Sequence, residues 1–337
     1  MLKETSPSQN AINHDRLSEA EEKAFGLLKN KYEKTAIDMD KFRKIAGYGE
    51  GRVKRDKERV ERKKKDIQEL GTGPTKKAQL LEALLTEQIE LSNWFGDNTY
   101  TIVPAEYDDL FHGVDLALEI EDKAGVKHLA LGVDVTSSPI SIRKKLKIIK
   151  NHIADGSLTA MEYFHSEDHD PKYYGPMNDI LQVVIGVDSK TIKELGELWM
   201  SAFGLAKLRR DSKPSPLSPE SEEHQKKLTR EAKQKLAEHR VQVLMLEEIK
   251  MQLVVFHKFA IAKHEEYKAG YEATGKEDLA KLAEKLEVVI NKFESTINLI
   301  NSILSSKEIP SRDDVFKNQE DLVFQSLTEA LNDFDNL

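Results

Sequence analysis

The chain has 337 residues, of which 33% are charged, 39% hydrophobic and 7% aromatic, a composition typical of helix-rich proteins with long exposed faces rather than of an all-β domain. Cysteine is absent, which excludes disulfides, thiolate catalysis and zinc sites built on cysteine. The formal net charge of −8 excludes bulk attraction for nucleic acid, so any such binding needs a local basic region.

The first predicted elements are helices. Residues 1–16 are polar, lack the apolar run of a secretory signal, and are expected to be disordered. An amphipathic helix should follow, and the glycines at 47–51 should end it. A charged helix with a basic excess is predicted over 52–70, and the motif GTGP at 71–74 marks the end of a charged helical region that spans 17–74. No apolar run approaches the roughly 18–20 residues that span a bilayer, so we expect a cytoplasmic protein with no membrane partner.

The region 75–208 is predicted to mix helices and strands. Period-two alternation and β-branched residues indicate strands, whereas apolar residues three and four apart indicate helices. Asp188 or Ser189 should cap the helix that follows the last strand, and the polar stretch 165–176 reads as a loop. The expected elements are a helix over 76–95, strands over 99–104, 114–121 and 128–136, a basic helix from Pro139, a strand over 181–187, and a helix over 191–203.

The C-terminal third is predicted to be a helical hairpin. A linker dense in proline and serine covers 209–220. Beyond it, two long helices with a 3-4 apolar alternation predict a coiled-coil-like antiparallel hairpin over 221–306, with Gly270 and Gly275 between them. Its narrow apolar seams favour further packing, by helices of the N-terminal region or by a second copy or another protein. An acidic tail is expected over 307–337.

Two aspartates on neighbouring predicted strands are the most informative feature of the chain. Asp115 and Asp134 lie on the strands over 114–121 and 128–136, and two such carboxylates can hold a hard divalent cation. Asp134 interrupts the apolar run LALGVDV, where an isolated carboxylate would be costly. The alternatives are that Asp115 caps a turn and that Asp134 pairs with a buried lysine or arginine.

The order helix–strand–strand–strand–helix–strand, without a dinucleotide-binding or P-loop motif, resembles the PD-(D/E)XK nuclease superfamily over roughly residues 76–205. Asp115 in GVDLALEIE and Asp134 in GVDVTSS match the two strand acids of that family. Glu87 or Glu90 would match its helix acid. Thr136 stands where the family keeps lysine, and Lys144 or Lys145 on the following helix could supply the missing cation.

The resemblance implies a restriction-endonuclease-like α/β core with a mixed sheet, and metal-dependent phosphodiester hydrolysis of nucleic acid, with DNA as the expected substrate. Asp115, Asp134 and Glu87 would hold Mg²⁺ or Mn²⁺, and Lys144 or Lys145 would contact the scissile phosphate. The lysines expected to touch nucleic acid are Lys144, Lys145, Lys147 and Lys150.

Other interpretations remain open from the sequence alone. Thr136 is also what a nuclease-like core without catalytic activity would carry, in a protein that binds or assembles through its helical hairpin. Asp109 and His112 lie close to Asp115 in the sequence, but each also fits a turn or loop without a chemical role. The histidines and carboxylates of HSEDHD, at 165–170, form a zinc-like cluster that an ordinary charged loop would equally explain.

Overall fold

The structure is a computed structural model that describes residues 16–121, 128–166, 173–212, 218–306 and 320–337. Within these ranges, no helix is both long and apolar enough to cross a membrane. The α-helices are α1 (Glu19–Thr35), α2 (Gly49–Leu70), α3 (Lys76–Leu91), α4 (Glu106–His112), α5 (Pro139–Ala154), α6 (Ser189–Trp199), α7 (Leu205–Ser212), α8 (Pro219–Ala237), α9 (Val241–Thr274), α10 (Glu277–Ser306) and α11 (Leu322–Asn332). The strands are β1 (Thr99–Ile102), β2 (Leu116–Glu121), β3 (His128–Thr136), β4 (Thr159–Ser166) and β5 (Tyr173–Gly186). Short 3-10 helices cover Met39–Lys44 and Phe334–Asn336, and a π-helical turn covers Met200–Gly204.

Local sequence signals determine several helix ends. Ser18 caps α1 in a capping box with Glu21. Gly71 ends α2 in the left-handed conformation, with a φ of +63°. Pro139 occupies the first turn of α5, and Asp188 caps α6 by accepting a hydrogen bond of 2.9 Å from the Thr191 backbone amide. The predictions for the last two positions are therefore confirmed.

The protein is a mixed α/β structure built on a five-stranded sheet of order β1-β2-β3-β5-β4. The pairs β1-β2, β2-β3 and β4-β5 are antiparallel, whereas β3 and β5 run parallel. The parallel pair needs a crossover connection, which α5 and β4 provide. The sheet therefore brings the ends of β2 and β3, where Asp115 and Asp134 lie, side by side.

The predicted loop over 165–176 is wrong at both ends, because its flanks belong to β4 and β5; residues 167–172 lie outside the described part of the chain. Two of the polar residues that suggested a loop, His165 and Ser166, are buried with polar or aromatic neighbours. The Ser166 hydroxyl donates a hydrogen bond of 2.8 Å to Glu119, and the His165 ring stacks on Tyr174 with centroids 3.9 Å apart. Such pairing lets a polar stretch continue a sheet.

The base of the helical hairpin belongs to the same hydrophobic core as the sheet. Val133 and Val183 of the sheet, Leu84 of α3 and Leu246 and Phe256 of α9 are all fully buried members of that core. The apolar seam predicted for the hairpin is therefore covered by elements of the same chain. Whether a second copy or another protein also binds the hairpin stays a prediction.

The hairpin helices are α9 and α10, joined where Gly275 takes a φ of +69°. Gly270 lies inside α9 rather than in the turn. An additional helix, α8, precedes the hairpin, and α7 extends to Ser212, so helices cover both ends of the expected linker. Residues 213–217 between these helices lie outside the described part of the chain. Most of the expected disordered N-terminus and the first part of the acidic tail also lie outside it.

Side chains of α9 also complete the edge of β5 beyond the reach of β4. The Gln252 amide accepts a hydrogen bond of 2.8 Å from the Val184 N–H and donates one of 2.6 Å to the Val184 carbonyl. The buried carboxyl of Glu248 accepts a hydrogen bond of 3.1 Å from the Gly186 N–H. These bonds satisfy backbone groups that a further strand would otherwise pair.

Candidate functional site

A cleft of about 870 Å³ opens where β2 and β3 meet the N-terminal helices. Its walls come from α1, α2, the loop between α2 and α3, α3 itself, and the junction between β3 and α5. Asp115 and Asp134 both line this cleft, as their positions on neighbouring strands led us to expect. Their side chains are in hydrogen-bond contact with each other.

Asp115 is held at the entrance of β2 by backbone contacts to β3. Its N–H donates a hydrogen bond of 2.9 Å to the Val133 carbonyl, and its Oδ2 accepts one of 2.7 Å from the Val135 N–H. The Tyr32 hydroxyl of α1 donates a hydrogen bond of 3.1 Å to the Asp115 carbonyl. The Asp115 carboxylate is thereby fixed beside Asp134 rather than capping a turn of its own.

Lys145 extends into the site from α5. It is one of the two helix lysines that we expected to replace the strand lysine missing at Thr136. Its ammonium donates a hydrogen bond to Asp134 Oδ1 and another of 3.3 Å to the Val135 carbonyl. The side chains of Lys145 and Asp134 are only 24% and 14% exposed, so this is a partly buried ion pair. Thr136, at the usual lysine position, instead accepts a hydrogen bond of 3.1 Å from the Ser138 N–H and secures the start of α5.

Two further carboxyl groups complete an acidic cluster, defined as Glu82, Asp109, Asp115 and Asp134. Glu82 extends from α3 into the cleft, and Asp109 of α4 contacts Asp115 through a side-chain hydrogen bond. Lys145 is the cation that acts on Glu82, Asp115 and Asp134 together. One ammonium thus acts on three carboxyl groups, so the pairing of Asp134 with a lysine does not neutralise the site.

The cluster raises the pKa of each of its acids. Burial, followed by the charge of Asp109, raises the pKa of Asp115 to about 7. Burial, followed by the charge of Asp115, raises that of Asp134 to about 7. The pKa of Glu82 is raised well above its ordinary value, by burial and then by Asp115. Loss of surrounding water at the cleft wall raises the pKa of Asp109 to about 6, and its hydrogen bond with Asp115 opposes this rise.

The expected helix acids, Glu87 and Glu90, lie outside the acidic cluster. Glu87 forms an ion pair of 2.7 Å with Lys31 and accepts a hydrogen bond from the Trp199 indole, and Glu90 accepts one of 3.0 Å from the Thr101 N–H. Both line a neighbouring cavity of about 420 Å³. Five residues separate Glu87 from Glu82, which turns the two side chains about 140° apart on the helix. The structure therefore does not bring Glu87 to the acidic cluster, and Glu82 is the α3 acid that lies there.

The sequence did contain a signal for Glu82. It stands in the run LLEALL, between Leu81 and Ala83, which are both buried. A carboxyl group inside such a run needs a polar environment, and the same consideration marked Asp134. Tyr32, which binds the backbone of Asp115, carried no comparable signal because half-buried tyrosines are common on amphipathic helices.

The other lysines of α5 are placed differently. Lys144 and Lys147 are exposed. Lys150 donates a hydrogen bond of 2.7 Å to the Asp335 carbonyl, and its ammonium lies 5.3 Å from the Phe259 ring centroid. Lys150 is therefore engaged by other parts of the chain and does not line the cleft; its contact with nucleic acid stays a prediction.

His112 is also committed elsewhere. Its Nδ1 lies 2.8 Å from Oδ1 of the fully buried Asp108, whose two carboxylate oxygens also accept hydrogen bonds from the backbone N–H groups of Glu162 and Tyr163. Asp108 thus joins α4 to β4. This pairing gives His112 a structural role away from the acidic cluster. His169, the second histidine of the expected zinc-like loop, lies outside the described residues.

The acidic cluster offers the oxygen ligands that hard divalent cations prefer. Its excess of carboxyl groups over ammonium groups, in a water-accessible recess, suits Mg²⁺ or Mn²⁺, since a bound cation would displace the protons that crowding keeps on these acids. Across the described ranges, no three histidine, aspartate or glutamate side chains already stand in the arrangement of a metal site.

Comparison with known proteins gives no relative: no family model, no curated protein and no solved structure matches this chain.

Proposed function

We propose that the cleft binds a divalent cation and hydrolyses phosphodiester bonds in nucleic acid, with DNA as the first substrate to test. The observation that carries the proposal is the convergence of Asp115, Asp134 and Glu82 with the Lys145 ammonium. Three carboxylates and one lysine in a common recess are the groups that metal-assisted phosphoryl chemistry needs.

The order of elements supports a restriction-endonuclease-like core. The acid-bearing helix α3 precedes an antiparallel run of three strands, and β3 then pairs in parallel with β5. Asp115 opens the second strand, Asp134 lies near the end of the third, and Glu82 takes the place of the helix acid. The same order of elements, with strand acids at these positions, underlies the resemblance to PD-(D/E)XK nucleases.

Asp115, Asp134 and Glu82 would hold Mg²⁺ or Mn²⁺, which when bound polarises a phosphoryl oxygen and makes a bound water more acidic. The chain's own contribution is to fix these ligands. The backbone N–H of Val135 holds one oxygen of Asp115 and so fixes this carboxyl group in the lining of the cleft. A buried, preoriented carboxylate loses little entropy when it binds a cation.

Lys145 would stabilise charge on the scissile phosphate. Its ammonium is held by Asp134 and by the β3 backbone at Val135, which places it beside a carboxylate that would hold the cation. The N-terminus of α5 opens on the same cleft, where Ser137 and Ser138 line the wall and Ser138 makes no side-chain cap. The positive end of the α5 dipole favours an anion at this end of the cleft.

The test is cleavage of single- and double-stranded DNA and RNA by the full chain in Mg²⁺, in Mn²⁺ and in EDTA. Asp134→Asn and Glu82→Gln should each abolish cation-dependent cleavage, because each removes a ligand charge without changing shape. Glu87→Gln is the matched control on the same helix and should retain cleavage, since its partners are Lys31 and Trp199.

Loss of cleavage in Glu87→Gln with retention in Glu82→Gln would overturn the assignment of the helix acid. Absence of cleavage by the wild-type chain with every cation and substrate would refute the hydrolase. Nucleic-acid binding without cleavage would then favour the alternative, a nuclease-like protein that binds or assembles through its helical hairpin.

A further inference from the structure

The wall of the cleft formed by α1 carries an aromatic and cationic face next to the acidic cluster. Phe25, Lys29 and Tyr32 are spaced four and three residues apart and so share one face of the helix, and all three line the cleft. The Phe25 ring is half-buried, and the Lys29 ammonium lies 5.4 Å from its centroid. Tyr32 is tied to Asp115, which leaves Phe25 as the ring open to a ligand.

The opposite wall carries a second cation and several hydroxyl groups. Lys57 of α2 lines the cleft and pairs with Asp40 at 2.8 Å. The Thr75 and Ser137 hydroxyls, also in the lining, lie 3.3 Å apart and join the start of α3 to the start of α5. An aromatic ring, ammonium groups and hydroxyl groups that line one cleft match the way proteins bind single strands, by stacking bases and tracking phosphates.

The dimensions of the cleft favour a flexible strand over a duplex. Its volume of about 870 Å³ lies in the range of roughly 300–1,000 Å³ that encloses small ligands. The acids lie within this recess, where Asp134 is only 14% exposed. A duplex is stiff over roughly 50 nm and carries its phosphates on the outside of a broad cylinder, so it reaches a recessed group such as Asp134 less readily than a flexible strand does. A single strand can enter one nucleotide at a time.

We propose that the substrate is a single-stranded segment of nucleic acid whose base stacks on Phe25 while Lys29 and Lys57 bind the neighbouring phosphates. This inference rests on the proposed function for the chemistry and adds the class of substrate. The acidic cluster repels a polyanion until a cation is bound, so binding of the strand requires a divalent cation.

The first experiment compares a fluorescein-labelled single strand with its blunt duplex, by anisotropy in Ca²⁺ and by cleavage in Mg²⁺. We expect the single strand to bind more tightly by roughly tenfold or more, which is the worth of one stacked base, and EDTA to abolish the binding. Equal binding and equal cleavage of the two substrates would overturn the inference and leave the hydrolase standing. Tight binding of the single strand without cleavage in Mg²⁺ or Mn²⁺ would support the inference and remove the hydrolase.

The second experiment separates stacking from folding. Phe25→Leu keeps an apolar side chain against the core but removes the ring, and should weaken single-strand binding about 5- to 150-fold, whereas Phe25→Tyr should preserve it. Tyr271→Leu, on the exposed part of α9, is the matched control and should leave binding unchanged. If Phe25→Leu binds as tightly as wild type, or Phe25→Tyr binds as weakly as Phe25→Leu, the ring does not stack on a base.

The third experiment measures the phosphate contacts. Lys29→Gln and Lys57→Gln should each reduce the dependence of log K on log salt concentration by about 0.7, the value for one phosphate contact on a single strand. Lys281→Gln, at an exposed position of α10, should not change it. Unchanged slopes in both cleft variants would exclude these lysines as phosphate ligands.

Discussion

Asp134→Asn should make the cation-free protein more stable, although it removes half of an ion pair. Burial and the charge of Asp115 raise the pKa of Asp134 from 3.8 to about 7, and the side chain is only 14% exposed. When folding raises the pKa of an acid, the free energy of unfolding is highest at pH values below the pKa of the unfolded chain. It then falls as the pH rises to the pKa of the folded chain. At about 1.4 kcal/mol per pH unit, the wild-type chain loses roughly 4 kcal/mol between pH 4 and pH 7. Asparagine keeps an oxygen for Lys145 and avoids that loss.

The assay is urea unfolding of both proteins in EDTA at several pH values from 4 to 8. The variant should be more stable by a few kcal/mol at pH 8, and the difference should vanish towards pH 4, where the carboxyl group is neutral in both states. Mg²⁺ should then stabilise the wild type and not the variant. Asp66→Asn, at an exposed position of α2, is the control and should change stability by less than about 0.5 kcal/mol. A variant that is less stable than wild type at pH 8 would refute the crowding of these carboxyl groups.

Three further predictions concern other side chains. Lys145→Met should lower the cleavage rate by roughly 10²- to 10³-fold, the usual effect of removing one group that stabilises transition-state charge. Mg²⁺ should still raise the melting temperature of this variant. Cleavage at the wild-type rate would exclude Lys145 as the group that stabilises charge on the phosphate. Gln252→Leu should destabilise the fold by about 2–4 kcal/mol in urea, because it leaves the Val184 N–H and carbonyl without partners, whereas the exposed control Gln234→Leu should have little effect. Glu248→Gln should increase the free energy of unfolding above pH 5. Burial raises the pKa of Glu248 well above its ordinary value, so the wild-type chain loses stability as the pH rises. An unchanged dependence of the free energy of unfolding on pH would contradict this.

The parts of the site that the sequence predicts are those set by local rules. Asp115 and Asp134 were identifiable because period-two strands and a polar residue inside an apolar run are visible without knowing the fold. Lys145 was identifiable because Pro139 marks the start of α5, and side chains on the first turns of that helix lie close to β3. These inferences depend on residues within about one element of each other.

The parts that the sequence did not predict are set by tertiary packing. Apolar residues surround α3 on most sides, including Leu80, Leu81, Leu84 and Leu85, so periodicity could not show which of its acids faces the sheet. Asp109 enters the cleft because Asp108, its neighbour, anchors α4 to β4. The strand β4 was missed because its polar end becomes buried only when Glu119 and Tyr174 stand beside it.

The bonds from Gln252 to β5 also bear on how the chain is made in a cell. Gln252 lies 68 residues after Val184, and translation adds roughly 5–20 residues per second. The open edge of β5 therefore emerges from the ribosome several seconds before the glutamine that covers it. During that interval the nascent strand is a template for pairing with other polypeptides, so synthesis at high rates should favour aggregation, and slower expression or a chaperone that shields β-edges should improve the yield.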